Sequence, residues 1–340
     1  MQEKVKYVYI IAEAGVNHNG KIDLAFKLCD AAKEAGVDAI KFQTWKTENI
    51  VTKSASLATY QENNISKKKK SQFEMLKELE LGYGSFIQIK EYCKKIGIAF
   101  LSTPDDDESL EFLLKMGMSF IKVGSGEVTN VPYLRKIGMT KMPIILSTGM
   151  SNLGDVERAY NILIDAGATE ITLLHCTTNY PCPMEEVNLN AMLTLKEAFK
   201  CKVGYSDHTV GIEVPIAAVA MGARVIEKHF TIDKSMEGPD HKASLDPVEL
   251  NEMVKAIRNI EKAMGNGIKT PNSSEKRIEK VVKKKIVASK VIGKGELFSN
   301  ENITVKRSQD GLSAEFWDNI IGQKASRNFD VDEAIGLIND

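Results

Sequence analysis

The sequence predicts an eight-stranded parallel β/α barrel of the TIM type, followed by a small β-rich module. Two observations carry this. At Gly36, Gly97, Gly117, Gly167 and Gly222 a helical pattern closes on glycine and an apolar run begins within a residue or two. Glycine takes the left-handed helix-exit conformation at little cost, so each position reads as an α-to-β joint. Eight short apolar runs, at 7–13, 38–44, 98–103, 119–125, 143–148, 170–177, 202–207 and 224–230, are continuous rather than alternating, as parallel strands covered on both faces require. Eight such units in residues 1–265 match the size of the barrel. The same units in a doubly wound open sheet are the structural alternative.

The first two runs are separated by one helical length, but a long stretch follows the second. It contains Tyr60 to Asn64 and the lysine run Lys67 to Lys70, and reads as a solvated loop. Between runs five and six, Val156, Ala159, Tyr160, Leu163 and Ile164 form one apolar helical stripe; after run eight, Leu250, Met253, Val254, Ile257 and Ile260 form another. The second helix opens with Asp246, Pro247 and Glu249, which is N-cap, first-turn proline and capping-box chemistry in order. Residues 266–285 are polar and basic and read as a linker. Residues 286–340 hold short β-like runs at Ile286–Ala288 and Ile303–Lys306. A module this small gains stability by docking on the barrel or on a second subunit.

Composition narrows the function. The 340 residues carry 45 Lys+Arg against 46 Asp+Glu, so no global positive field draws the chain to nucleic acid or anionic lipid. Any anion must be met locally. The five cysteines are odd in number and widely spaced, which suits reduced thiols in the cytoplasm. The apolar run Val8 to Ala12 stops at Glu13, far short of a membrane span or a signal peptide.

In such a barrel, catalytic groups project from the C-terminal ends of the strands. All eight runs end in groups that bind or titrate: Glu13; Lys41 and Gln43; Ser102 and Thr103; Lys122, Ser125 and Glu127; Ser147 and Thr148; His175 and Thr177; Ser206, Asp207 and His208; Glu227 and His229. Lys41/Gln43, His175/Thr177, Ser206/His208 and Glu227/His229 are two residues apart, so each pair shares a face and can point into the barrel mouth. His208 and His229, from neighbouring strand ends, are candidates for a divalent-metal pair that leaves positions for water and substrate oxygens. Two hydrogen-bonding histidines without metal are the alternative. Lys41 and Lys122 with Ser125, Ser147 and Ser206 suit a phosphate or carboxylate, or a lone lysine serves as a Schiff-base nucleophile. Glu13 and Glu127 are left as acid/base candidates. Gly15, Gly20 and Gly124-Ser125-Gly126 do not form a dinucleotide fingerprint.

Taken together, the stretches Ile11–Gly20, Lys41–Thr44, Leu101–Pro104, Lys122–Glu127, Leu146–Met150, His175–Thr177, Gly204–Thr209 and Glu227–Thr231 resemble the bacterial sialic acid synthase family, which includes the legionaminate and pseudaminate synthases. The likeness covers nearly the whole chain, since its C-terminal part resembles that family's antifreeze-like (SAF) domain. The resemblance implies metal-dependent condensation of phosphoenolpyruvate with an N-acylated hexosamine, N-acetylmannosamine or its 2,4-diacetamido-6-deoxy analogue, giving a nonulosonate and phosphate. It implies that His208 and His229 hold manganese, with magnesium or cobalt as alternatives. Lys41, Thr103, Lys122, Ser125, Ser147 and Ser206 match phosphoenolpyruvate-binding positions, and Glu13 and Glu127 the family's two glutamates. Gln43, Tyr180 and Asp240 match sugar-contacting positions. Arg307 matches an arginine delivered into a partner's barrel, which implies a swapped homodimer. Three positions depart from the family pattern: Asp105 stands where phenylalanine is usual, Thr178 where asparagine is frequent, and Ser308 where proline commonly follows the arginine. A Schiff-base aldolase and a non-catalytic sugar- or ice-binding protein are the competing readings.

Overall fold

The structure, a computed structural model, describes residues 7–64 and 71–336; the lysine run Lys67 to Lys70 lies outside them. The chain divides into two compact units, Met1–Gly265 and Asn266–Asp340.

The larger unit is the expected barrel. Its strands are β1 (Tyr9–Gly15), β2 (Ala39–Thr44), β3 (Ala99–Pro104), β4 (Ile121–Val123), β5 (Ile144–Ser147), β6 (Ile171–His175), β7 (Lys202–Asp207) and β8 (Val225–His229). They run in the spatial order β3-β2-β1-β8-β7-β6-β5-β4, and every pair is parallel. Strands β3 and β4, at the two ends of this ladder, are neighbours in space, which nearly closes the cylinder. Helix exits at Gly36, Gly97 and Gly117 are left-handed, with φ of 82°, 74° and 74°, as the joints demand. Residues such as Ile10, Ile40, Leu101, Leu146 and Ile226 pack the core.

Some elements differ from expectation. The fourth run shrinks to three residues because Gly124 turns the chain into a 3-10 helix at Ser125–Glu127; the Gly-Ser-Gly sequence there has little strand preference. The stretch read as a loop after β2 holds helices at Thr47–Ile50, Thr59–Asn64 and Gln72–Leu79, ahead of the helix Tyr83–Ile96 that the joint at Gly97 demands. Ser71 and Glu74 form the capping box that starts the third of these. In the helix Leu153–Asp165, Val156, Ala159 and Leu163 are buried as the stripe predicts, but Ile164 is 41% exposed. The helix Pro247–Ala263 begins with the expected Asp246/Glu249 box and buries Leu250, Met253, Val254 and Ile257.

The smaller unit has its own core, including Ile286, Ile292, Phe298, Ile303 and Phe329. Strands β9 (Lys284–Ala288) and β10 (Ile303–Arg307) pair antiparallel. Within the stretch read as a linker, Ser273–Val282 is a helix started by an Asn272/Glu275 box. Arg307 ends β10 and is exposed.

Candidate active site

Four buried charges converge at the barrel mouth. Lys41 Nζ lies 2.7 Å from Glu13 Oε2 and 3.7 Å from Glu227 Oε2, while Lys122 Nζ lies 3.5 Å from Glu227 Oε1. All four side chains are at most 5% exposed. Hydroxyls complete the set: Lys41 donates to Thr103 Oγ1 (2.9 Å), Lys122 to Ser147 Oγ (2.8 Å), and Ser206 to Glu227 Oε1 (3.0 Å). Strand alternation from β1, β2, β3, β4, β5, β7 and β8 brings these groups to one end of the cylinder.

The two carboxyls are driven apart electrostatically. Burial pushes Glu13 up to about 8; Lys41 opposes this and the charge of Glu227 adds to it. Glu227 feels the same burial, but Lys122 and Lys41 outweigh it and hold the group down at about 2. Burial alone would lower Lys41, yet Glu13 and Glu227 raise it. A Schiff-base lysine needs the opposite shift, so Lys41 is poorly suited to that role. Two carboxyls with separated pKa values divide into a proton carrier and a permanent anion. Gln43 Nε2 donates to Glu13 Oε1 (3.2 Å). Gly15 beneath it has φ +50°, and a Cβ there would stand 3.3 Å from Glu13 Oε1 and 3.5 Å from His229 Cε1.

A second cradle flanks the lysines. Ser125 Oγ accepts from Gly149 N (3.0 Å) and contacts Cys176 Sγ at 3.2 Å. A Cβ on Gly149 would fall 2.2 Å from Thr178 Oγ1 and 2.9 Å from Ser125 Oγ, so only glycine leaves this space open. Thr178 Oγ1 is buried with no hydrogen-bond partner among the described residues, so it is free to donate to or accept from a group held in this cradle.

His208 and His229 face each other with ring centroids 5.5 Å apart. Tyr180 covers both, at 4.1 Å from His208 and 5.5 Å from His229. His208 Nδ1 lies 2.6 Å from Thr177 O; a carbonyl only accepts, so Nδ1 carries the proton and Nε2 keeps its lone pair. Burial lowers His208; burial, then His208 and Lys41, lower His229 well below its ordinary value. Both rings are therefore neutral, the form a metal ion binds. His229 Nδ1 is buried, has no hydrogen-bond partner among the described residues and lies 3.7 Å from Asp240 Oδ2. Burial pushes Asp240 up to about 6. No group of three or more His, Cys, Asp and Glu among the described residues is arranged as a metal cage, so the chain itself offers two imidazoles.

Other expected groups go elsewhere. Glu127 sits in the 3-10 turn and accepts from Asn130 Nδ2 at 2.6 Å. His175 Nε2 is bound to Val187 O (2.7 Å) and Thr177 Oγ1 to Glu186 O (3.1 Å), so this pair anchors the following loop rather than the mouth. Asp105, pushed up to about 7 by burial against the opposing pull of Lys41, lines a cavity of about 440 Å³ with Asn49, Asn130, Tyr133 and Lys136. Glu227, expected at the mouth as a strand-end residue but given no role by the sequence, lies between the two lysines. Its two-residue spacing from His229 was the available signal.

Comparison with known proteins matches residues 28–269 to the NeuB family and residues 284–336 to the SAF domain. The chain belongs to the NeuB family. Among its relatives, the N,N'-diacetyllegionaminic acid synthase of Campylobacter jejuni is 51% identical, over 97% of this chain and 99% of that protein. Human N-acetylneuraminate-9-phosphate synthase is 33% identical, over 96% and 91%. The crystal structure of the N-acetylneuraminic acid (sialic acid) synthetase of Leptospira borgpetersenii, in complex with citrate, superposes with a TM-score of 0.71 at 34% identity, over 81% of this chain and 90% of that one. The NeuB chain described here is thus an enzyme of the sialic acid synthase type, and its fold is the barrel plus SAF module anticipated from sequence. No helix among the described residues is long and apolar enough to cross a membrane.

Proposed function

We propose that this enzyme condenses phosphoenolpyruvate with 2,4-diacetamido-2,4,6-trideoxymannose, forming N,N'-diacetyllegionaminate and phosphate. The buried quartet of Lys41, Lys122, Glu13 and Glu227 carries the reading: two lysines and an arc of hydroxyls suit a small phosphorylated carboxylate, and one carboxyl stands ready to carry a proton. The sugar is argued from likeness, because the legionaminic acid synthase shares 51% of its residues with this chain and the 9-phosphate synthase 33%. N-acetylmannosamine is the competing substrate. The choice is read from kcat/KM for the two sugars: the diacetamido sugar should lead by at least about tenfold, since a site built for a polar substituent rejects its absence. Equal values, or a lead for N-acetylmannosamine, would overturn the assignment.

In this reading Lys41, Lys122, Thr103, Ser147 and Ser206 hold the anionic groups of the enol phosphate, with Ser125, Thr178 and Gly149 N–H lining the adjoining cradle. Glu227 keeps both lysines in place. Gln43, Tyr180 and Asp240 meet the sugar. His208 and His229 would hold a divalent ion, manganese by the resemblance, which polarises the open-chain sugar's aldehyde. The enol methylene carbon forms the new C–C bond to the aldehyde carbon, and Glu13 gives its proton to the aldehyde oxygen. Water then adds at C2 and returns one proton to Glu13; the bond from C2 to the phosphate oxygen breaks, and the remaining C2 hydroxyl proton passes to the departing phosphate as the ketone forms. Glu13 both gives and regains its proton, and its place beside Lys41 favours it over Glu127, which is bound to Asn130, as the acid/base. Low-dielectric surroundings strengthen each of these contacts.

The resemblance also implies a swapped homodimer in which Arg307 completes the sugar site of a second copy. Arg307→Ala should abolish condensation while leaving thermal unfolding unchanged; unaltered kcat and KM would remove Arg307 from the site.

A further inference from the structure

The inner and outer faces of β7 and β8 carry two different pairs. Ser206 aligns with Glu227 and Asp207 with Lys228, so the mouth receives Ser206, His208, Glu227 and His229, while Asp207 and Lys228 point outward. Yet both outward side chains are 0% exposed. Lys228 Nζ donates to Asp207 Oδ2 at 2.5 Å and to Thr209 O at 2.5 Å. Asp207 in turn accepts from Thr209 N (3.0 Å) and Thr209 Oγ1 (3.0 Å). Every one of these bonds converges on the residues either side of His208. On its other flank His208 is held by Cys182 N donating to its carbonyl (2.8 Å).

A buried ion pair is a poor source of stability, because removing two charges from water costs about what their attraction returns; a well-packed apolar pair often serves as well or better. The outer faces of these strands are otherwise mostly apolar, with Val203, Ile226 and the ring of Tyr205 buried beside the pair. What the pair supplies that an apolar pair would not is directional fixing of two adjacent strand ends. We propose that Asp207 and Lys228 are positioning residues: with Thr209 they lock the end of β7 to β8 and so preset the separation of the His208 and His229 rings for one divalent ion. The inference rests on the metal reading above.

The experiment uses the full-length protein and Mn2+ as probe, counting free ion by electron paramagnetic resonance, with thermal unfolding in EDTA as an independent measure of fold. Lys228→Met should weaken Mn2+ binding about 10–100-fold, the usual cost of losing a group that orients a metal ligand. The double variant Asp207→Asn/Lys228→Met leaves no lone buried charge, so it should regain unfolding temperature over the single change while still binding Mn2+ weakly. Thr209→Val keeps both charges and removes one hydroxyl tie; it should bind several-fold more weakly in a protein that melts like the parent. Parental affinity in the folded double variant, or in Thr209→Val, would overturn the positioning role. A parent that binds no Mn2+ would overturn the metal reading, and this inference with it.

Discussion

Replacing Glu13 by glutamine should lower kcat by roughly 10²–10⁴-fold, the usual worth of a positioned proton carrier, while KM for phosphoenolpyruvate changes little. The substitution keeps the volume and an oxygen able to accept from Lys41, while its NH2 faces Gln43, whose amide can turn its oxygen to accept; Glu227 still neutralises the lysines at 3.5 and 3.7 Å. It removes only the exchangeable proton, so thermal unfolding should stay close to the parent's. The contrasting control is Glu127→Gln. Glu127 contacts Asn130 rather than the lysines, so its loss should cost far less in kcat. Steady-state phosphate release from both variants decides the matter: comparable losses, or a larger one for Glu127→Gln, would assign the proton to the other glutamate.

Much of this was legible in the sequence for a physical reason. Parallel strands buried on both faces leave unbroken apolar runs, and the chain must end each run in polar groups where the barrel opens; Glu13, Lys41, Thr103, Lys122, Ser147, Ser206, His208 and His229 follow from that rule. What the rule does not contain is pairing between strands. Glu227 was visible as a strand-end residue, but its hold on both lysines depends on how β2, β4 and β8 are staggered around the cylinder. Asp207 was visible as a strand-end residue, but its pairing with Lys228 was hidden for the same reason, since a lone strand lysine reads as an odd residue until register sets an aspartate beside it. The short helices between Thr47 and Leu79 and the one at Ser273–Val282 were hidden by weak apolar patterning; in the last Ile278, Val281 and Val282 are all exposed, so only the Asn272/Glu275 cap signalled a start. Strand four erred the other way: Phe120 extended the apolar run ahead of β4, and the run was carried past Gly124, where the strand ends.

Removing the divalent ion is the second large effect, and it also tests most directly whether the imidazole pair and the lysine cradle work as one site. The measurement is the release of phosphate from phosphoenolpyruvate together with nonulosonate formation, before and after EDTA stripping, with and without the acceptor sugar. Stripped protein should lose turnover by at least about a hundredfold, several kcal/mol being the ordinary contribution of a Lewis acid at a carbonyl. Added Mn2+ should restore it in the parent but not in His208→Ala or His229→Ala, with one phosphate released per nonulosonate formed and none without sugar. Undiminished turnover in the stripped protein, or phosphate release that ignores the sugar, would contradict the account.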